Sequence, residues 1–399
     1  MARADRRGAL RLLALGGAGA ATGALAADVE LGFANGRRRT SGDFPGKGTL
    51  IVQRERAPLL ETPLTAMDGK VFTPNELFFV RWHYADIPTT VDTASFRLRI
   101  GGAVRQPLAI PLDRLFSLPR VKLAAVNQCS GNSRALFVPR VPGAQWGDGA
   151  VGNALWEGVR LRDVLDLAGI VPGAKAVRFA GLDRPPPGAP WYEKSLALDH
   201  AMDGEVMIAF RMNGAPLPML NGFPLRLVVP GWYSTYWIKA LDRIEVLTEA
   251  DDRYWMSKAY LIPKTPRASV PGGTSEFAKE PINRMVPRAF FTSADRAAKV
   301  MAGSPWFVRG LAMGGAHGVA RVDLSMDAGR TWHAARLGPD QGKYGFRLWD
   351  AALPALKPGG YRLWARCTNA AGEAQHMDSV WNPGGYMRDT CPSLAVTVA

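Results

Sequence analysis

The sequence predicts an α+β protein of two domains: a unit mixing short strands with short helices, then an all-β sandwich of immunoglobulin-like type. Three observations predict it. At 399 residues the chain is long enough for two separate cores. Its 43 Gly and 30 Pro are spread along the length, which suits a strand- and loop-rich architecture better than a helical bundle. The patterning also changes across a linker rich in Pro, Gly, Ser and Thr, Pro263 to Ser275, with helical stretches before it and strand patterns alone after it.

Residues 1–26 read as a targeting segment. Arg6 and Arg7 precede a weakly apolar Gly/Ala-rich stretch from Gly8 to Gly23, and Ala24-Leu25-Ala26 offers small residues for cleavage. The twin Arg with a Gly-diluted apolar region predicts the twin-arginine route to the periplasm, which carries folded proteins with cofactors already inserted; an ordinary Sec signal is the alternative. No other stretch approaches the roughly 20 continuous apolar residues of a membrane span. Residues 27–65 are polar, contain Arg37-Arg38-Arg39, and read as an extended arm lying on the body.

The first large domain covers residues 66–265. Phe78 to His83, Phe96 to Ile100 and Leu108 to Ile110 have strand character, and the spacing of apolar residues in Leu161 to Ala168 predicts a short amphipathic helix. Ser195 to Asp203 reads as another helix, and Val206 to Met212 and Leu225 to Val229 as strands. In the second domain, residues 276–399, Trp306 to Gly310, Gly318 to Ser325, Tyr344 to Trp349, Gly360 to Thr368 and Leu394 to Val398 alternate with turns, the spacing of a sandwich. Cys367 and Cys391 fall on adjacent candidate strands there, and an oxidising compartment permits a disulfide between them.

The formal charge is +14, and removing Arg3, Arg6, Arg7, Arg11 and Asp5 with the targeting segment leaves +11. The cations are dispersed among acids, and helix-turn-helix, zinc-finger and aromatic RNA-binding signatures are missing, which excludes nucleic acid. An anionic substrate, an anionic cofactor, an acidic electron-transfer partner or solubility alone each fit such a charge. The three cysteines show no CxxC or CxxCH, so covalent haem is excluded. The five histidines show no HExxH, so a metal, if present, is held through a cofactor.

The most unusual segment is Val126 to Arg134, VNQCSGNSR, where an apparent strand runs into a turn containing Gly131 and Asn132, both tolerant of positive φ. Cys129 stands at the strand end. It reads either as a buried small hydrophobe or, with Arg134 five residues on, as a thiol poised toward the metal-binding thiolate.

VNQCSGNSR resembles the molybdenum-ligand motif of the sulfite oxidase family, and further stretches resemble that family in order. They are Phe79-Val80-Arg81-Trp82-His83, Gly181-Leu182-Asp183, Asn221 to Arg226, Tyr236-Trp237-Ile238-Lys239, Tyr254 to Tyr260, Val322 to Trp332 and Trp381-Asn382-Pro383. The resemblance covers essentially the whole chain after the targeting segment and is nearest to the periplasmic bacterial sulfite dehydrogenases. It implies a sulfite-oxidase-type molybdopterin domain, then an immunoglobulin-like domain for dimerisation or for a cytochrome subunit.

The resemblance further implies Mo-molybdopterin as cofactor, with Cys129 as the metal's protein thiolate, and oxidation of sulfite by oxygen-atom transfer. It gives Arg81 and Arg134 the anionic substrate, because guanidinium offers permanent charge with directional donors. Tyr260 becomes a donor that also excludes water, and His83 either a further donor or a hydrogen-bonded core histidine. Phe79, Val80, Arg81, Trp82, His83, Asp183, Asn221, Arg226, Trp237, Ile238 and Lys239 then bind the cofactor. Three departures from the animal enzymes stand out: Asn221 replaces a histidine, Gly384 lies near where an arginine reaches the substrate, and a cytochrome b5-like domain is missing. The last implies a separate c-type cytochrome as electron acceptor. A related molybdoenzyme acting on a sulfane or sulfoxide is the alternative reading.

Overall fold

The computed structural model describes residues 28–293 and 298–399; the targeting segment predicted over 1–26 lies outside the described residues. Residues 28–61, expected as an extended arm, instead form strands β1 (Asp28–Glu30), β2 (Arg37–Ser41), β3 (Leu50–Arg54) and β4 (Leu59–Glu61). These build an antiparallel meander that ends on β5 (Val80–Arg81). The correction has a packing cause. Leu50, Val52 and Leu60 bury one face of the meander against Val80, Trp82, Leu220 and Ala240, while charged residues at its turns make the composition polar.

Two further sheets make the body of the first domain. One has the order β11 (Glu193–Ala197), β10 (Ala176–Gly181), β15 (Leu241–Leu247), β6 (Arg97–Gly102) and β7 (Leu108–Pro111), with β15 parallel to β6. The other runs β13 (Ala215–Pro216), β12 (Met207–Met212), β9 (Val151–Arg160) and β8 (Arg120–Gln128), with β14 (Arg226–Val228) also pairing with β12.

Helices are short: α1 (Leu112–Phe116), α2 (Leu161–Ala168), α3 (Leu198–Ala201) and α4 (Tyr254–Ser257). In α2 the buried residues Leu161, Val164, Leu165 and Ala168 share one face, and Gly169 at φ 67° ends the helix, as the spacing predicts. The helix expected over Ser195 to Asp203 is instead the end of β11 and the single turn α3, because Lys194, Ser195 and Leu196 are drawn into pairing with β10. The predicted linker is likewise tied down, its ends paired as β16 (Leu261–Pro263) and β17 (Lys279–Pro281).

The second domain is the predicted sandwich. Its sheets are β18 (Arg288–Phe291), β20 (Trp306–Met313), β24 (Arg347–Leu353), β23 (Arg336–Leu337), and β19 (Ala298–Val300), β26 (Ser393–Val398), β25 (Gly359–Asn369), β21 (Val319–Ser325), β22 (His333–Ala334). Val308, Val322, Trp349, Leu363, Ala365 and Leu394 fill the space between them. Cys367 and Cys391 are both free thiols, so the disulfide is not made; Cys367 Sγ is instead 3.4 Å from the Met313 carbonyl. The domains share a core, in which Phe290, Leu311, Tyr344 and Met387 pack with residues of the first domain. Among the described residues no helix is long and apolar enough to cross a membrane.

Candidate functional site

Cys129 is placed by β8. That strand alternates exposed and half-buried residues from Arg120 to Leu123 and is wholly buried from Ala124 to Gln128, where its antiparallel ladder with β9 ends at Gln128 opposite Val151. Cys129 N–H still donates to the Ala150 carbonyl at 2.9 Å, and the chain then turns back, Asn132 N–H donating to the Cys129 carbonyl at 3.0 Å. The Asn132 side chain locks the turn, accepting from Ala150 N–H at 2.9 Å and donating to the Asp148 carbonyl at 3.0 Å. The positive φ falls on Ser133, at 68°, not on Gly131 or Asn132 as expected. Gly131 is required for another reason: a Cβ there would lie 2.5 Å from the Arg134 guanidinium.

The turn leaves Cys129, 5% exposed, on the wall of a half-enclosed cavity. Phe79, Arg81, His83, Asn221, Arg226, Lys239 and Tyr260 of the predicted set line the same cavity. Val80, Trp82, Asp183, Trp237, Ile238 and Arg134 do not, and stand behind it. Trp82 lies under the Lys239 ammonium, 4.5 Å from ring centre to Nζ, and donates its indole N–H to the Leu220 carbonyl. The Arg226 guanidinium lies beside the edge-to-face pair Trp237 and Trp156, 5.8 and 5.3 Å from their ring centres. Val80 and Ile238 are buried packing residues.

At the deep end, Arg226 donates to the Asn221 carbonyl at 2.8 Å and to Asn127 Oδ1 at 3.1 Å, and the Asn221 amide donates to the Phe79 carbonyl at 3.2 Å. Lys47 completes this end. Its ammonium donates to Asn221 Oδ1 and to the carbonyls of Asn75 and Phe78. The sequence reading missed it because a lysine in a polar stretch carries no burial signal.

The charge balance is one-sided. Nearby ion pairs go to Arg178, Arg243, Arg253 and Arg288, and none reaches Arg81, Arg226, Lys239, Lys47 or the buried Lys194 among the described residues. Burial, and then the Arg226 charge, pushes both Lys47 and Lys239 down to about 7; burial pushes Lys194 down to about 7 and Arg226 to about 9. Burial also raises Asp183 to about 6, against the pull of Lys239. Arg81 Nη1, Asn127 Nδ2, Gln128 Oε1 and Arg226 Nε are buried without a partner. Unpaired buried cations and donors of this kind fit an anionic, acceptor-rich ligand. Among the described residues no group of three His, Cys, Asp or Glu side chains could hold a metal, so a metal at Cys129 needs its other ligands from that bound group.

At the other end, His83 Nε2 and the Tyr260 hydroxyl are 2.7 Å apart. Burial, then the charges of Arg81, Lys239, Lys194 and Arg54, holds His83 well below the usual histidine range and therefore neutral. Burial raises the Tyr260 phenol, so it stays a proton donor, and its backbone sits at φ 57°. Tyr192, absent from the predicted set, stacks on His83 at 3.5 Å and donates to the Thr235 carbonyl at 2.6 Å. Arg134 is one layer out. Its guanidinium donates to the carbonyls of Gly384, at 3.0 Å, and Ala144, at 3.3 Å, and lies 5.2 Å from the Tyr386 ring centre, which stacks on Tyr260.

Comparison with known proteins gives the same outline. Residues 84–255 match the model of the oxidoreductase molybdopterin binding domain, and residues 281–397 that of the Mo-co oxidoreductase dimerisation domain. The mitochondrial sulfite oxidase of Drosophila melanogaster is 33% identical over 375 residues, covering 89% of this chain and 64% of that protein. The sulfite oxidase of Arabidopsis thaliana is 30% identical over 370 residues, covering 86% of this chain and 92% of that one. The sulfane dehydrogenase SoxCD from Paracoccus pantotrophus superposes with a TM-score of 0.75 at 25% identity, covering 86% of this chain and 85% of that chain.

Proposed function

Since the chain belongs to the sulfite oxidase family of molybdopterin oxidoreductases, we propose that it oxidises sulfite to sulfate in the periplasm and passes the electrons singly to a separate c-type cytochrome. One observation carries the reading: Cys129 faces a cavity whose buried cations make no direct ion pair among the described residues and whose wall holds unpartnered donors. The chain spans 64% of the length of its Drosophila relative, so substrate and acceptor are inferred for this chain from its own residues.

Bound Mo-molybdopterin supplies the oxygen-atom transfer and accepts the electron pair. Cys129 would hold the metal, while Arg226 and Lys239 would hold the anionic end of the cofactor and Asn127 and Asn221, the latter fixed from behind by Lys47, its polar edge. Arg81 offers a buried guanidinium nitrogen without a partner and Tyr260 a phenol O–H, two donors for the oxygen atoms of sulfite that leave its sulfur lone pair free. His83 orients the Tyr260 hydroxyl across their 2.7 Å contact. The rings of Tyr192, Tyr260 and Tyr386 exclude water from the anion, which strengthens these contacts. Arg134 supports Tyr386 and adds positive potential. The second domain, which matches a dimerisation domain, provides the surface for a homodimer.

The likeness to a sulfane dehydrogenase favours a second reading, in which a sulfane is oxidised at the same site. The deciding experiment is molybdenum analysis of protein from a host that makes molybdopterin, followed by steady-state turnover of sulfite, a sulfane and a sulfoxide with cytochrome c. Stoichiometric molybdenum and highest kcat/KM for sulfite are expected. Metal-free protein would sink the proposal, and sulfane preference would replace it with the second reading.

A further inference from the structure

On the far side of His83 lies a surface basin of about 840 Å³, walled by Arg54, Arg56, Tyr84, Asp86, Arg184 and prolines 185 to 187. His83 borders both this basin and the cofactor cavity. An aromatic series continues outward. The His83 and Trp255 ring centres are 4.9 Å apart, and those of Trp255 and Tyr254 5.1 Å. Tyr254 is 48% exposed and Trp191 46%, uncommon for rings of that size.

These residues form one continuous face. The Tyr84 hydroxyl donates to the Pro190 carbonyl next to Trp191, and Arg243 lies over the Trp191 ring at 5.9 Å. Arg243 and Arg253 are joined through Glu193, which pairs with both. Arg54, Arg56, Arg184 and Arg253 are exposed along the margin. Glu193, Glu55 and Glu245 are already paired, Glu55 with Arg39 and Glu245 with Arg178, so the carboxylates left on this face are Asp86 on the basin wall and Asp252 at the rim. Exposed aromatic anchors inside a cationic rim are the anatomy of a protein-docking surface with an acidic partner.

We propose that this face is the docking surface of an acidic one-electron carrier protein, a c-type cytochrome of net negative charge, with Tyr254 and Trp191 as its anchors. The proposal rests on the sulfite-oxidising reading above. Each sulfite, with one water, gives sulfate, two protons and two electrons, so two oxidised carriers each leave reduced by one electron per turnover. Tunnelling rates fall exponentially with distance, and a carrier seated on Tyr254 and Trp255 has His83, and behind it the cofactor cavity, within a few ring contacts. The arginine rim steers an acidic protein to that face and repels a basic one.

The test compares holoenzyme turnover of sulfite with a purified acidic c-type cytochrome and with ferricenium, a small dye that needs no docking face. Two variants suffice, Tyr254→Ser and the pair Arg56→Glu with Arg184→Glu; none of these residues lines the cofactor cavity. For the cytochrome, kcat/KM should fall about tenfold or more in each, and the charge variant should lose most of its salt dependence. Ferricenium rates should stay within about twofold of the unaltered enzyme, since the chemistry is untouched. Cytochrome rates that do not change, or that fall in step with ferricenium rates, overturn the docking surface alone. So does sedimentation showing that Tyr254→Ser splits a dimer, which would give the face to a second copy of this chain. Unaltered holoenzyme that reduces neither acceptor with sulfite sinks the functional reading, and the docking proposal with it.

Discussion

At the scale of single residues the cavity divides into groups that bind and groups that hold the binders. Cys129 has no substitute, because no other His, Cys, Asp or Glu cluster among the described residues could hold a metal. Cys129→Ser should retain the fold and lose turnover together with most of its molybdenum, read by metal analysis beside circular dichroism; full activity would remove Cys129 from its role. Arg134 belongs to the supporting layer, its guanidinium boxed in by Gly131, Gly143 and Gly385, at each of which a Cβ would come within 3.0 Å of its side chain. Charge-assisted contacts of this kind are worth about 1.5–3 kcal/mol, so Arg134→Ala should raise the sulfite KM about tenfold or more and change kcat less. Arg134→Lys should not restore it, because an ammonium cannot reach the Gly384 and Ala144 carbonyls with two planar N–H groups while stacking on Tyr386. Rescue by lysine would mean that charge alone matters there.

At the scale of elements, the β1–β5 meander brings Lys47 against Asn221 of the cavity wall, and its chemistry gives a pH signature. In the folded apoprotein Lys47 is lowered to about 7 from its ordinary 10.5, by burial first and by Arg226 second. Below pH 7 the lysine is charged whether folded or not, and folding bears the whole cost of burying that charge. Between pH 7 and 10.5 the unfolded chain holds a proton that the folded one does not, so stability rises with pH, by up to about 1.4 kcal/mol per unit for one group. Melting of the apoprotein at pH 7 and pH 9 should therefore show a gain that is smaller in Lys47→Met; an equal gain would mean that Lys47 is not titrating in this window. The same element shows what the sequence conceals. Helix α2 was legible because four buried residues repeat at helical spacing, and the sandwich because its strands alternate between turns. The meander was not, because its strands are two to five residues long, too short to show a period, and charged residues in β1, β2 and the turns make the stretch read as polar. In the cavity, residues sitting in ordered motifs could be read ahead, whereas Tyr192 reaches its wall, and Lys47 and Lys194 the layer behind that wall, only through tertiary packing. Arg134, Asp183 and Trp237 were legible as neighbours of the site, but their place behind its wall is set by side-chain direction, which spacing does not carry.

At the scale of the whole molecule, the sandwich helps to build the site. Arg288, fully buried at the start of β18, donates to Ser133 Oγ at 3.0 Å, in the turn that carries Cys129, and lies 3.4 Å from Asp148, which accepts from Ser133 just before β9. Met387 N–H donates to the Ser130 carbonyl, Gly384 accepts from Arg134, and Val126 N–H donates to the Tyr344 carbonyl at 2.8 Å, extending β8 into the second domain. The metal-bearing turn is thus clamped from the sandwich side at Ser130, Ser133 and Arg134. Two consequences follow from this geometry. Unfolding should be one calorimetric transition with equal van't Hoff and calorimetric enthalpies, because Phe290, Leu311, Tyr344 and Met387 of the sandwich pack into the core of the first domain and couple the two; two resolved transitions would contradict that coupling. Arg288→Met removes one partner of a buried charge contact, a change that costs about 3 kcal/mol or more where the remaining charge stays buried. Asp148 and Ser133 would be left without that donor beside Cys129. The variant should therefore melt earlier and also bind less molybdenum than a control of equal stability lesioned in the far sheet, such as Leu394→Ala. Equal metal content in the two would reduce Arg288 to a stability element and detach the sandwich from the chemistry of the turn.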